Sequence, residues 1–375
     1  MEQNLKKEQN SAQNVAQKQN KMESQTEINK SGEKCSSCGG NMFYSPENYA
    51  LKCKSCGGLR KIDATRNFSK HMYTEDAENR EQYTEWRQQN KMFRCSSCGA
   101  SVVLSKLEIS SSCPYCGSSY ATQENEVAGL KPDAILPFKF SNEEAANLYK
   151  QKIRKKFFLP RAFKKSPPVD TIKGIYIPCF AFDEVTFSSY DGKLATDHRH
   201  TDSNGHTHTT TTYRHISGQK NMKHDNVLVE TSSHIDQVVF TQIKPYNLQE
   251  LVEYKNEFIM GYSVENYDQA LVSCKKIGDS IIDNIIRNSI LSGYSYDRVC
   301  YLNVKTQRSE QKYAYYLLPT YKCAYKYKEK DYVTFMNGQT GKIGGKVPRS
   351  ALKITSLVLG ILLGVAGIIL LACLL

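Results

Sequence analysis

Cys35-Ser36-Ser37-Cys38-Gly39 is followed by Cys53-Lys54-Ser55-Cys56-Gly57, and sixty residues later the figure returns as Cys95-Ser96-Ser97-Cys98-Gly99 and Cys113-Pro114-Tyr115-Cys116-Gly117. In both copies fourteen residues separate the two C-x2-C pairs. Two such pairs, each at the tip of a tight hairpin, bring four thiolates round one tetrahedral ion at about 2.3 Å per Zn–S bond, the arrangement of a zinc ribbon. The glycine after each pair (Gly39, Gly57, Gly99 and Gly117) falls where the chain turns back and backbone N–H groups can point at sulfur. The eight cysteines Cys35, Cys38, Cys53, Cys56, Cys95, Cys98, Cys113 and Cys116 are therefore expected to hold two structural Zn2+ ions per chain, one in a ribbon over 34–60 and one in a ribbon over 93–122.

Three other chemistries use cysteine pairs. A disulfide framework needs an oxidising compartment, and the first thirty residues contain no apolar stretch that could serve as a secretory signal. A redox C-x-x-C opens a helix in a βαβ unit, whereas extended segments such as Asn41-Met42-Phe43-Tyr44 and Ser101-Val102-Val103-Leu104 flank these pairs. Cys113-Pro114-Tyr115-Cys116-Gly117 resembles a rubredoxin knuckle, so iron stays open beside zinc, although the spacing between pairs is short for rubredoxin.

Ile354 to Leu375 carries no charged residue and would span about 33 Å as a helix, enough for a bilayer core. Lys342, Lys346, Arg349 and Lys353 crowd its N-terminal side, so the expectation is a single-pass tail anchor over 354–375 in the cell membrane, with everything before it cytoplasmic. Gly360-x3-Gly364 is a spacing that lets two membrane helices approach. The whole chain has 375 residues, a formal net charge of +12 and a mean hydropathy of −0.53, which suits an anionic neighbour such as lipid headgroups or nucleic acid. Residues 1–33, rich in Gln, Asn, Lys and Glu, read as a disordered polar tail. Residues 61–92 read as a charged linker with a helical second half, in which Trp86 is expected to pack against the second ribbon, the competing reading being that it binds a base.

From Lys131 the pattern becomes that of a globular domain, so the fold class expected is α+β: two small zinc ribbons, an α+β domain over 131–350 with an antiparallel sheet, and a C-terminal transmembrane helix. Ala134 to Phe140 reads as a strand, and Ser141 with Glu144 forms a capping box for a helix to about Phe157. A strand pair is expected over Gly174 to Tyr190, and helices over Pro245 to Met260 and Asn266 to Asn288. Four strands near Val299–Val304, Tyr313–Leu318, Cys323–Tyr327 and Tyr332–Met336 then form a meander ending in the turn Asn337-Gly338-Gln339-Thr340-Gly341.

The two ribbon halves, Phe158-Leu159-Pro160, Gly174-Ile175-Tyr176-Ile177-Pro178, Tyr316-Leu317-Leu318-Pro319, Asn337-Gly338-Gln339-Thr340-Gly341-Lys342 and the apolar C-terminal segment together resemble the bacterial TFIIB-type zinc-ribbon-containing membrane proteins. The resemblance covers most of the chain beyond Lys34 and implies zinc binding by the eight ribbon cysteines and membrane association, without a defined activity. It departs from that pattern at Cys179-Phe180-Ala181-Phe182, where a Trp often follows Ile-Pro-Phe, and in a His/Thr-rich stretch. Members are often labelled, through their ribbons alone, as the primosomal replication-restart helicase. A helicase motor needs a Gly-x4-Gly-Lys-Ser/Thr loop, and Gly338-Gln339-Thr340-Gly341-Lys342-Ile343 lacks both the length and the hydroxyl, which argues against an ATPase.

Seven of the eight histidines fall between His198 and His234. A hairpin over 197–215 that turned at Thr201 to Gly205 would oppose His200 to His206 and His198 to His208, a face able to bind Zn2+, Cu2+ or Ni2+; the competing reading is a solvated polar hairpin, and a third is a pH-sensitive patch. The basic stretch 152–165 surrounds Phe157-Phe158-Leu159 and reads either as a contact for anionic lipid or as a solvated helix face whose Phe pair enters the core. Tyr325 and Tyr327 alternate with Lys326 and Lys328, placing rings on one face and charges on the other. No nucleophile, base and acid stand out, so no catalytic residue is assigned and the chain is expected not to be an enzyme. Three functional classes follow: a membrane-anchored, cytoplasm-facing zinc-ribbon scaffold for a protein or nucleic-acid partner; a metal-handling or rubredoxin-like electron-transfer protein; and a hydrolase within the α+β domain.

Overall fold

Three very long strands frame the molecule, seen in a computed structural model that describes residues 34–79, 90–95, 101–105, 124–126, 130–202, 206–232 and 234–374. In chain order the strands are β1 (Met42–Ser45), β2 (Ala50–Cys53), β3 (Leu59–Lys61), β4 (His71–Met72), β5 (Asn90–Arg94), β6 (Ser101–Ser105), β7 (Glu124–Glu126), β8 (Ala134–Ile135), β9 (Ile172–Thr201), β10 (Thr207–Glu230), β11 (Val252–Glu253), β12 (Ser263–Glu265), β13 (Arg298–Tyr327), β14 (Lys330–Asn337) and β15 (Ile343–Gly345). The helices are α1 (Asn142–Lys155), α2 (Arg161–Lys165), α3 (Gln237–Ile243), α4 (Leu271–Leu291) and α5 (Ala351–Leu374). β1–β2–β3 form a small sheet of their own; the rest join one 12-stranded sheet in which β9 lies between β10 and β13. Pairing is antiparallel except where β12 meets β9 and β8 meets β13, so the α+β class with antiparallel sheets stands.

β9 and β13 each run 30 residues, about 100 Å if fully extended. Their base is apolar on both faces. Tyr176, Phe180, Phe182, Tyr313, Tyr315 and Leu317 point into one core, while Ile175, Ile177, Cys179, Ala181, Tyr316 and Leu318 point into a second on the opposite face. Beyond about Asp183 the burial alternates and the ladder continues towards solvent. The strand pair expected over 174–190 is thus the first half of one strand, and three strands of the expected meander are a single strand, β13. The polar run Lys305–Lys312, which resembles a loop in sequence, is the solvated part of that strand, bulged between Ser309 and Lys312.

The capping box forms as expected: Glu144 N donates to Ser141 Oγ at 3.2 Å and Ser141 N to Glu144 Oε2 at 2.8 Å. Three other expectations are corrected. Only Ala134–Ile135 of 134–140 is strand, because Phe138 leaves the sheet to stack on Tyr262 at 4.2 Å. Residues 245–260 form no α-helix; the spacing of Leu248, Leu251 and Val252 imitates one, but β11 pairs with β8 and splits the segment into two 3-10 turns. α4 begins at Leu271 because Asp268 N and Gln269 N donate to Thr231 O, holding 268–269 off the helix. Its Gly278 presses against Phe182, where an added Cβ would lie 2.9 Å from the ring. Tyr325 and Tyr327 behave as read, both rings meeting Phe163. Residues 80–89, with Trp86 and most of the expected linker helix, lie outside the described residues.

A buried ion cluster ties α4 to the sheet. Glu184 is fully buried on β9, with Lys275 Nζ at 3.0 Å from its Oε2 and Arg308 bonded to its Oε1; Lys275 also pairs with Asp279, and Arg308 Nη2 reaches Asp283 at 2.5 Å. Every charge in it has an opposite partner, which is the condition for burying charge at all.

Candidate metal centre

The segment 34–60, where the first ribbon is expected, folds as a pair of matching knuckles. Gly39 N donates to Cys35 O and Cys35 N to Gly40 O; Gly57 N donates to Cys53 O and Cys53 N to Gly58 O. Each knuckle turns through a left-handed glycine, Gly39 at φ +70° and Gly57 at φ +73°. The outcome is convergence of four sulfurs. Cys35 Sγ lies 3.6 Å from Cys56 Sγ, Cys38 Sγ lies 3.5 Å from Cys53 Sγ, and all four sit within 4.8 Å of one another. Sulfurs at about 2.3 Å from a tetrahedral ion must be about 3.8 Å apart, whereas a disulfide would bring a pair to about 2.05 Å. The spacing fits a four-thiolate metal site and excludes disulfides within the set. Gly40 and Gly58, not singled out in the sequence, border the sulfurs: a Cβ on Gly40 would stand 2.9 Å from Cys53 Sγ, and one on Gly58 3.3 Å from Cys56 Sγ. The doubled glycines Gly39-Gly40 and Gly57-Gly58 were the signal for this crowding.

Backbone amides polarise the site. N–H groups of Ser37 and Cys38 lower the Cys35 thiol to about 6, and those of Cys56 and Ser55 lower Cys53. Cys38 goes the other way, to about 12, because it shares hydrogen with the neighbouring sulfurs. Metal binding to such a cluster takes thiolates and releases the protons that the thiols still carry. Cys35 and Cys53 are buried, Cys38 and Cys56 exposed, so the sulfur cluster has one face towards solvent.

The ribbon is not a free-standing knob. Tyr44, Leu51 and Ile62 belong to the same core as Tyr176 and Phe258; Tyr44 N donates to Met260 O, and its ring meets Phe258 edge-on at 5.3 Å. Of the four cysteines expected to form a second ribbon, Cys95 is described and buried, while Cys98, Cys113 and Cys116 lie outside the described residues. β5 and β7 flank one another beside β6, and β6 pairs with β12 through Val103 and Val264, which stitches this segment into the main sheet.

The histidine hairpin forms, with a register different from that expected. His200 pairs with His208, His198 with Thr210, and His206 falls at the turn outside the ladder. The shift of two residues arises because Asp202 closes the turn, accepting the His206 N–H at 2.8 Å. His198 Nε2 contacts Thr212 Oγ1 at 3.1 Å and His208 Nε2 contacts Asp202 Oδ2 at 3.2 Å. Among the described residues the sole group of three or more metal-ligating side chains drawn together is that of Cys35, Cys38, Cys53 and Cys56.

The turn over 337–341 also takes its expected place. Asn337 Oδ1 accepts the N–H groups of Gln339 and Thr340, so these amides are committed to the turn rather than to a phosphate. A Ser, a His and a Glu meet near the end of β10, a convergence the sequence did not suggest. Ser232 Oγ donates to Glu265 Oε1, and His234 presents Nδ1 to that same oxygen at 3.0 Å. Serine and histidine thus share one carboxylate in parallel, unlike a relay in which the imidazole stands between the two. Nearby Glu230 is fully buried; its Oε1 accepts Ser232 N at 2.7 Å and its Oε2 has no hydrogen-bond partner among the described residues. Burial, and then the charge of Glu265, push the Glu230 carboxyl up from 4.5 to about 10. A carboxyl raised on folding stabilises fully below its unfolded value and loses that stabilisation as pH climbs towards the folded value. Between pH 5 and pH 8 the native chain is expected to lose stability relative to Glu230→Gln by as much as about 4 kcal/mol, the limit for one proton over three units. Denaturant melts of both proteins across that range would measure the difference, and parallel curves would mean that Glu230 ionises in place.

No protein-family model matches the chain, and no solved structure matches it. It is similar to an uncharacterised protein of Bacillus subtilis (strain 168), YdjG, at 25% identity over 340 residues, which is 88% of this chain and 93% of that one.

Proposed function

We propose that this chain is a membrane-tethered binding module whose ribbon surface, held rigid by structural zinc, faces the cytoplasm and receives a protein or nucleic-acid partner. The observation that carries this reading is a sulfur cluster on a segment whose Tyr44, Leu51 and Ile62 join the core of a domain that continues into α5, a helix with mean hydropathy 2.3 over Ala351–Ile369 and none of that window buried. Zinc fits a closed site of four thiolates with no position left for substrate. The ribbon's own charge, five basic residues against Glu47 alone over 34–61, stays positive even after the two negative charges of a zinc–tetrathiolate unit, which suits an acidic partner. The exposed edge at Cys38 and Cys56 favours a second reading, in which the centre handles metal or passes electrons through iron.

Protein purified without a metal-affinity tag is expected to contain two zinc ions per chain, to show no visible absorption, and to stay in the membrane pellet after alkaline carbonate. Iron with a rubredoxin-like spectrum would favour the second reading. Release by carbonate would remove the tether from the proposal.

A further inference from the structure

Two acid-free segments meet where α5 leaves the domain. Residues 145–169 contain eight Lys or Arg and no Asp or Glu, and residues 332–353 contain four and none. The fold ties them together through backbone: Ser350 N donates to Phe158 O at 2.8 Å, and Lys353 Nζ donates to Phe157 O at 2.8 Å and Leu159 O at 3.0 Å.

The Phe pair does not enter the core. Phe157 is 64% exposed and Phe158 41%, their rings packed edge-on at 5.2 Å. Between these rings and Ile354 and Leu357 of α5 runs an apolar groove of about 670 Å³, with Lys156 and Arg349 on its lining. One wall of this groove is therefore the apolar helix itself, and exposed aromatics beside basic side chains are the composition of a membrane-interface belt.

We infer that this groove holds one anionic phospholipid of the leaflet that α5 enters, its phosphate between Lys156 and Arg349 and an acyl chain between Phe158 and Leu357. The inference rests on the membrane reading above. A soluble acidic peptide would have to reach a groove whose wall lies within the bilayer-entering helix, whereas a lipid is already there; cationic pockets at the cytoplasmic end of membrane helices take anionic headgroups for the same reason. The bound lipid would fix how the domain sits on the surface, a role for Phe157 and Phe158 that packing does not supply.

The test uses the full chain in phosphatidylcholine vesicles doped with a photoreactive phospholipid, either phosphatidylglycerol-like or phosphatidylcholine-like. Mass spectrometry then locates the label. The anionic probe should mark 156–159 and 354–357 on the order of tenfold more than the choline probe. Lys156→Gln with Arg349→Gln should bring the anionic label down to the choline level, and Phe157→Ala with Phe158→Ala should lower both. Equal labelling by the two probes, labelling spread evenly along α5, or crosslinks to a second copy of the chain at the groove would overturn the site. A chain stripped from vesicles by carbonate fails the membrane reading itself; one that stays embedded and shows no headgroup preference fails this inference alone.

Discussion

Cys53→Ser is expected to cost the chain one metal ion and to loosen far more than the ribbon. Cys53 is 2% exposed and follows Leu51, which is fully buried in the core shared with Tyr176 and Phe258. In isolated zinc modules metal binding supplies an apparent 10–16 kcal/mol, nearly all of the folding free energy. Here Tyr44, Leu51 and Ile62 keep some hold on the domain, so a smaller loss, on the order of 5 kcal/mol, is expected. Amide exchange should rise over 34–61 and also around Phe258–Tyr262, where Tyr44 is bonded. Cys300→Ser, at an exposed thiol on β13, serves as the control and should change neither metal content nor exchange. Exchange confined to 34–61 would show that the ribbon detaches as a unit.

Glu184→Ala is the second change with a large effect. It leaves Lys275, 4% exposed, and Arg308, 17% exposed, facing a site without its carboxylate. Breaking a buried ion pair outright costs about 3–5 kcal/mol; Lys275 keeps Asp279 and Arg308 keeps Asp279 and Asp283, so the loss is expected at the lower end of that range, from the buried face that Glu184 leaves without its carboxylate. Denaturant unfolding should register that loss for Glu184→Ala. The double change Glu184→Leu with Lys275→Met should recover much of it, since the aliphatic pair no longer has to be paid for in desolvation. A double variant as unstable as the single one would mean that the cluster does more than neutralise itself, for instance by setting the register of α4 on β9.

The metal centre was legible because its chemistry is local. Four thiols at fixed spacing, each pair followed by glycine, specify the knuckles by local geometry alone, and Cys35, Cys38, Cys53 and Cys56 converge as read. The capping box at Ser141 and the apolar run of α5 were legible for the same reason. What sequence spacing cannot carry is pairing over distance. Nothing in Lys305–Lys312 marks it as strand, since its partners in β9 lie more than a hundred residues earlier and supply the order its own side chains lack. The groove at Phe157 was only half legible: the charges show in sequence, but the exposure of the rings depends on Lys353 and Ser350 holding the loop from the far end of the chain.

The outer flank of β10 raises a question of solubility. Among the described residues β10 pairs only with β9; its base is covered, with Leu228 O and Glu230 O accepting from Lys244 and Gln237, while its outer, solvated part keeps an edge on which no other strand lies. An open edge invites edge-to-edge association and aggregation. Along it stand Thr209 to Thr212, Arg214, Lys220 and Lys223, polar or cationic at nearly every step. Two such flanks meeting side by side would bring like charges together, and threonines keep the rest wetted. The His/Thr-rich stretch thus has the composition that disfavours edge-to-edge pairing, on the outer part of a strand whose other side is held by β9.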